Sequence, residues 1–312
     1  AHYRKNARML PWRVPPGAVA PDPYHVWLSE IMLQQTTVAA VIPYFLKFTS
    51  RWPDFAALAA ADQAEVMAAW AGLGYYARAR NLVACAKVVA SQHGGKLPST
   101  ESDLLKLPGV GPYTAAAIAA IAFGQRAVVV DANVERVVSR LFAIGTPLPA
   151  GKADIWAATD AITPDAEAGD FAQAMMDLGA GLCSVRNPSC IICPLLEHCV
   201  AGHAGTGEIY PVKPAKKAKP HRTGTAYWVQ RGDAVLLLTR GAKGMLAGMR
   251  ALPDDGWSAQ KDGDGVAPFD ADWQILPQAV AHVFTHFTLS LKIAVTASRL
   301  VDKPLTDAEF WP

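Results

Sequence analysis

Four cysteines crowd one short window, at Cys183, Cys190, Cys193 and Cys199, with the spacing C-x6-C-x2-C-x5-C. Thiolates converging from so short a stretch suit a centre with four sulfur ligands, and zinc and an iron-sulfur cluster both accept that set. Cys85 stands apart from them. Far upstream, Glu30 has Val26, Trp27 and Leu33 as its helical neighbours, so its carboxyl group lies on an apolar stripe. Partial loss of water there raises a carboxyl pKa and fits the group to donate a proton near neutral pH. Asp131, in Val128-Val-Val-Asp-Ala-Asn133, takes the N-cap position of a helix expected over Val134 to Phe142. Capping explains an aspartate there and is compatible with a catalytic role. Between two helical patterns lies Leu107-Pro-Gly-Val-Gly-Pro-Tyr-Thr114. Its glycines, Gly109 and Gly111, permit a tight turn and let backbone N–H groups at the start of the second helix approach a phosphate.

These residues need elements to hold them. The chain has 312 residues, 51% of them apolar, and a formal charge of +2, enough apolar material for two cores and too much for disorder. From Asp22 to Ala201 it reads as a succession of helices. Asp22-Pro23 opens one running to about Thr37, Asp62, Ser99 or Thr100, and Asp131 open others, and Phe171 to Leu182 leads into the cysteine window. Residues 209–223, rich in Pro and Lys, have linker composition, which predicts a helical domain over 1–208 and a second domain over 224–312. Thr225 to Val229, Ala234 to Thr239 and Leu289 to Val295 read as strands, so the second domain is expected to be α+β. Two basic clusters, Lys213, Lys216, Lys217, Lys219 and Arg222 in the linker, and Arg78 with Arg80, read as solvated surfaces. The longest apolar run, Ala115 to Phe123, stops at Gly124, short of the roughly 18 residues a bilayer needs, and no membrane partner is expected. Ala1-His2-Tyr3-Arg4 has no apolar segment behind it, which leads to the expectation of a cytoplasmic, nucleoid-associated bacterial protein. The missing initial Met and the abrupt end at Trp311-Pro312 suggest that further residues flank the sequence.

Five motifs in order carry a family resemblance. Leu10-Pro-Trp-Arg13, Trp27-Leu-Ser-Glu-Ile-Met-Leu-Gln-Gln-Thr36, Gly72-Leu-Gly-Tyr-Tyr-Ala-Arg-Ala-Arg-Asn-Leu82, the glycine hairpin and the cysteine window resemble the adenine DNA glycosylases of the MutY type, in the endonuclease III superfamily. The resemblance implies a mainly α helix-hairpin-helix fold with a 4Fe-4S cluster on the four cysteines, and a smaller Nudix-like domain. It implies that Glu30 protonates adenine and that Asp131 stabilises the sugar as the N-glycosidic bond breaks. Lyases of the superfamily carry a lysine where this chain has Tyr113, so no Schiff base can form by that route and a monofunctional enzyme is expected. By the same likeness Tyr113 and Asn133 order the sugar-phosphate and Asp131, while Gln35, Leu73 and Tyr75 fill the space left by an everted base. Gly109, Val110 and Gly111 would bind the DNA backbone, and Arg13 and Gln173 would line the adenine pocket. Phe284-Thr285-His286 matches the turn with which the family's second domain inspects 8-oxoguanine, with Thr where Ser is common. No Arg-Glu-x-x-Glu-Glu pattern follows Gly256, so pyrophosphatase chemistry is not expected. The implied partner is duplex DNA holding an adenine:8-oxoguanine mispair, bound by a monomer. Two other readings stand beside this one: a thymine glycosylase of the same superfamily, and a non-catalytic DNA sensor reporting redox state through its iron-sulfur loop.

Overall fold

The structure is a computed structural model describing residues 2–214, 218–241, 248–284, 286–296, 305 and 308–312. It divides into two compact units, Ala1–Pro214 and Ala215–Pro312. The division falls inside the expected linker, but the linker is shorter than its composition suggests. At one end Val212 accepts a hydrogen bond from Leu148 N (2.9 Å), and at the other a strand begins at His221.

The first unit is helical. After α1 (His2–Asn6), α2 (Pro23–Leu33) opens at Asp22, whose carboxylate accepts from Tyr24 N. It stops at Leu33, short of the expected Thr37, because Thr37 caps α3 (Val38–Arg51) and Gln35 between them is left-handed at φ 57°. α4 (Phe55–Ala60), α5 (Gln63–Trp70) capped by Asp62, α6 (Ala77–Gln92) and α7 (Glu101–Leu104) capped by Thr100 follow. Then come α8 (Pro112–Phe123), α9 (Ala132–Leu141) capped by Asp131, α10 (Lys152–Ile162), α11 (Ala168–Gly181) and the short α12 (Val200–His203). The alanine-rich α8 is buried continuously from Thr114 to Ala120, and its small side chains let α2 and α11 both pack closely on it. One core, with Trp27, Phe45, Phe48 and Trp70 fully buried, lies around α2, α3, α5 and α6. A second, of Val134, Val137, Val138, Ile155, Met175 and Leu178, joins α9, α10 and α11 beside the cysteine window. No helix among the described residues is long and apolar enough to cross a membrane.

The second unit is built on a seven-stranded sheet. β1 (His221–Arg231), β2 (Ala234–Thr239), β3 (Arg250–Ala251), β4 (Gln274–Ile275), β5 (Val280–Val283), β6 (Thr288–Thr296) and β7 (Ala308–Trp311) run in the order β3-β2-β1-β6-β4, with β5 also on β6 and β7 on β2. β1 and β6 pair in parallel, from His221 opposite Thr288 to Val229 opposite Thr296. That ladder claims Arg222 and Thr223, which the composition had assigned to the linker. The described residues of this unit are strands, turns and loops.

Candidate active site and metal centre

The second half of α2, the start of α8, the N-terminus of α9 and the face of α11 meet around a cavity of about 540 Å³. Glu30, Tyr113, Asp131, Asn133, Gln173 and Arg13 all line it. Residues separated by more than a hundred positions are thus brought to one place.

Glu30 is 7% exposed. Burial pushes its carboxyl up to about 7, helped by the nearby Asp131 and opposed by a hydrogen bond from Tyr113 and by the Arg13 cation. At neutral pH a large fraction therefore carries a proton, as the apolar stripe predicts. Burial also raises the Tyr113 phenol well above its ordinary range, with Glu30 and Asp131 adding to the effect, so the hydroxyl stays protonated and donates.

Asp131 caps α9, and its Oδ1 accepts from Asn133 N (2.9 Å) and Val134 N (2.7 Å). Its Oδ2 accepts from Asn133 Nδ2 (2.8 Å). Asn133 Oδ1 in turn accepts from Arg136 Nη2 (2.9 Å), which also reaches Gly179 O (2.7 Å), while Arg136 Nε donates to Cys183 O (2.7 Å). Gly179 is needed for this crossing of α9 and α11, since a Cβ there would stand 2.6 Å from Asn133 Cβ. Arg13 Nη1 is committed to Asp177, at 2.8 Å from both carboxylate oxygens, and Arg8 N donates to the same carboxylate at 3.1 Å. That pair fixes the segment with Leu10, Trp12 and Arg13 as one wall of the cavity. Gln173, buried on α11, lines the cavity too.

The hairpin lies at the N-terminus of α8. Gly109 has φ 77°, and a Cβ there would stand 2.7 Å from Asn81 Cβ, so only glycine fits. Gly111 is the N-cap and supplies no capping side chain, which leaves first-turn N–H groups for an outside acceptor. Val110 differs from expectation. Its amide donates to Leu107 O (3.2 Å) to close the turn, and its side chain is buried. Leu73 is likewise corrected: at 6% exposure it is a core residue under its turn and not a projecting wedge. Gln35 is exposed and Tyr75 is 49% exposed, and both have left-handed backbones, with φ 57° and 48°. Arg78, read as surface, is buried, because its guanidinium caps carbonyls inside the unit. Sequence reasoning also missed Asp177 and Arg136, whose partners lie far away in the chain and leave no local pattern.

Cys183 follows α11, Cys190 opens a 3-10 turn that Cys193 closes, and Cys199 caps α12. All four line one small cavity and none is disulfide-bonded. Arg140 Nη1 donates to Cys183 Sγ (3.2 Å) and Gly202 N to Cys199 Sγ (3.3 Å), contacts that favour thiolates. Burial pushes the Cys193 and Cys199 thiols up, and the neighbouring cysteines add to this. Among the described residues no three His, Cys, Asp or Glu side chains stand close enough to hold a single metal ion. The donor set fits a four-thiolate group. Cys85 lies elsewhere, buried on α6, its thiol pushed up to about 12 by burial.

In the second unit Phe284 stacks on Phe287 at 4.5 Å, and Phe284 N donates to Phe287 O (2.9 Å), closing a turn whose His286 is exposed. Thr285 lies outside the described residues.

Residues 28–153 match the HhH-GPD family, described as HhH-GPD superfamily base excision DNA repair proteins. The chain is 41% identical over 233 residues to the adenine DNA glycosylase of Mycobacterium tuberculosis, covering 73% of this chain and 71% of that one. It is 39% identical over 223 residues to the adenine DNA glycosylase of Buchnera aphidicola subsp. Acyrthosiphon pisum, covering 70% of this chain and 62% of the relative, so it spans about three-fifths of that protein. Among solved structures, a thermostable thymine-DNA glycosylase superimposes with a TM-score of 0.58 at 30% identity, over 65% of this chain and 93% of that one.

Proposed function

This chain belongs to the adenine DNA glycosylase family, within the HhH-GPD superfamily of base excision DNA repair proteins, and from that premise we propose that it excises adenine opposite 8-oxoguanine or guanine in duplex DNA. The observation that carries the reading is Glu30: a buried carboxyl with a pKa near 7, sharing a cavity with Asp131.

The geometry supports the following reaction. Adenine leaves easily only as the neutral base, so Glu30 gives its proton to the everted ring, and Tyr113 orients the carboxyl group. As the bond to the sugar breaks, positive charge develops at the anomeric carbon, and Asp131, held by three N–H donors, supplies the opposing charge. Water completes the hydrolysis and leaves an abasic site. Tyr113 offers no amine, so the strand stays intact. Gln35 and Tyr75 meet the duplex around the vacated position, and the open N–H groups at the start of α8 hold a phosphate. Gln173 and the Arg13 wall enclose the base. The Phe284 to His286 turn of the second unit contacts the opposite 8-oxoguanine. A monomer suffices for this, working where the chromosome lies in the bacterial cytoplasm.

Cys183, Cys190, Cys193 and Cys199 would hold a 4Fe-4S cluster, whose chemistry here is ligation that staples the loop after α11. The same four thiolates would also accept a single zinc.

A duplex with adenine opposite 8-oxoguanine tests the proposal. Wild-type protein should release adenine without cutting the strand, and Glu30→Gln should be slower by about 10²-fold or more. Undiminished release by that variant, or turnover of a guanine:thymine duplex in preference to the adenine one, would overturn it.

A further inference from the structure

Arg78, in the first turn of α6, is 8% exposed, and its acceptors are backbone carbonyls and one hydroxyl. Nη1 donates to Ile31 O (3.2 Å) and Met32 O (2.7 Å), in the last turn of α2 and directly after Glu30. Nη2 donates to Thr36 Oγ1 (3.0 Å), Leu73 O (3.0 Å) and Gly74 O (3.3 Å). One side chain therefore holds the end of the helix that carries the acid, the turn that carries Gln35 and the turn that carries Tyr75.

Both turns need holding. Gln35 and Tyr75 sit in the left-handed region, which costs a non-glycine residue about 1 kcal/mol or more and persists only where the surroundings impose it. The 72–75 turn is held also by Trp70 Nε1, which donates to the same Gly74 O (3.0 Å), and by Tyr44 Oη, which donates to Ala71 O (2.7 Å). Carbonyls at a helix C-terminus carry partial negative charge, so a cation is favourable there without a carboxylate partner. The planar fork of a guanidinium also fixes the angles between its acceptors, which an ammonium group cannot do.

We propose that Arg78 is a positioning residue for base eversion, its guanidinium locking the Gln35 and Tyr75 turns to the end of the Glu30 helix. The residues that enter the duplex and the acid that meets the everted base then keep one separation, and DNA-binding energy is not spent on ordering the two turns. The inference rests on the adenine-excision reading above.

Single-turnover excision by Arg78→Lys tests it on two duplexes, one with adenine paired to 8-oxoguanine and one with adenine opposite an abasic site, where it is already unpaired. The expected loss is about ten- to a hundredfold on the paired duplex and under about threefold on the unpaired one. 2-Aminopurine in place of the adenine should brighten less with the variant than with wild type. Thr36→Val removes only one acceptor and keeps the test open where Arg78→Lys fails to fold. It should lose activity in the same direction, and the double variant should be no slower than Arg78→Lys alone. Equal losses on both duplexes, no loss on the paired one, or additive losses in the double variant would overturn the coupling. Wild-type protein that releases no adenine from either duplex would overturn the functional reading and this inference with it, whereas an active wild type matched by Arg78→Lys overturns the inference alone.

Discussion

Excision as proposed turns on the proton that Glu30 carries. Burial pushes the group up to about 7, so excision should fall as pH rises through that value and the acid form is lost. Tyr113 donates to the carboxylate and thereby lowers its pKa. Tyr113→Phe should move the alkaline limb of the pH–rate profile to higher pH, and a limb that moves down or stays would show that the phenol does not donate to Glu30. Stability follows the same linkage. A carboxyl whose pKa is higher in the fold than in the unfolded chain favours folding fully only below its unfolded value. That contribution is lost as pH rises toward the folded pKa. Glu30→Gln carries no ionisable group, so its unfolding free energy in denaturant melts should exceed wild type's by up to about 3 kcal/mol at about pH 8, with a much smaller gain at about pH 5. On the proposed reading, the site trades stability for an acid that is protonated near neutral pH.

At the level of elements, two helix starts carry the proposed chemistry and can be dissected. Asp131 is both the N-cap of α9 and the proposed counter-charge. Asparagine caps about as well as aspartate, so Asp131→Asn should change thermal stability by less than about 0.5 kcal/mol while lowering the excision rate by about 10²-fold. Parallel losses in both measurements would mean that capping is its whole role. At the start of α8, Gly109→Ala meets Asn81 at 2.7 Å and a left-handed φ at once. It should cost about 1–3 kcal/mol in denaturant melts and weaken duplex binding. The correction at Leu73 belongs to this scale too. The turn shows Tyr75 to solvent and folds Leu73 into the core cluster, with Gly74 between them.

For the whole molecule, the proposed division of work between the two units can be tested by separating them. The helical unit contains every residue lining the cavity of Glu30 and Asp131. Protein ending at Pro214 should still remove adenine but lose its preference for 8-oxoguanine over guanine opposite it, as competing duplexes would reveal. The cysteine window follows α11, and Arg136 and Arg140 tie it to α9. Cys193→Ser should abolish the broad visible absorbance expected of iron-bound thiolates and lower the melting temperature. A wild type with no such absorbance would point to zinc, a d¹⁰ ion without redox chemistry.

Local chemistry was readable along the chain. The caps Asp22, Asp62, Thr100 and Asp131, the obligate turn at Gly109, the apolar stripe around Glu30 and the cysteine window all depend on residues a few positions apart, and spacing alone exposes such patterns. Tertiary structure alone decided the rest. Arg78 looked like solvated charge until its acceptors at Met32, Thr36 and Leu73 were visible. Asp177 had no visible partner until Arg13 folded back onto it, and strand pairing claimed Arg222 for the sheet. Periodicity records which face of an element turns inward, whereas a hydrogen bond across the core depends on where two distant segments come to rest.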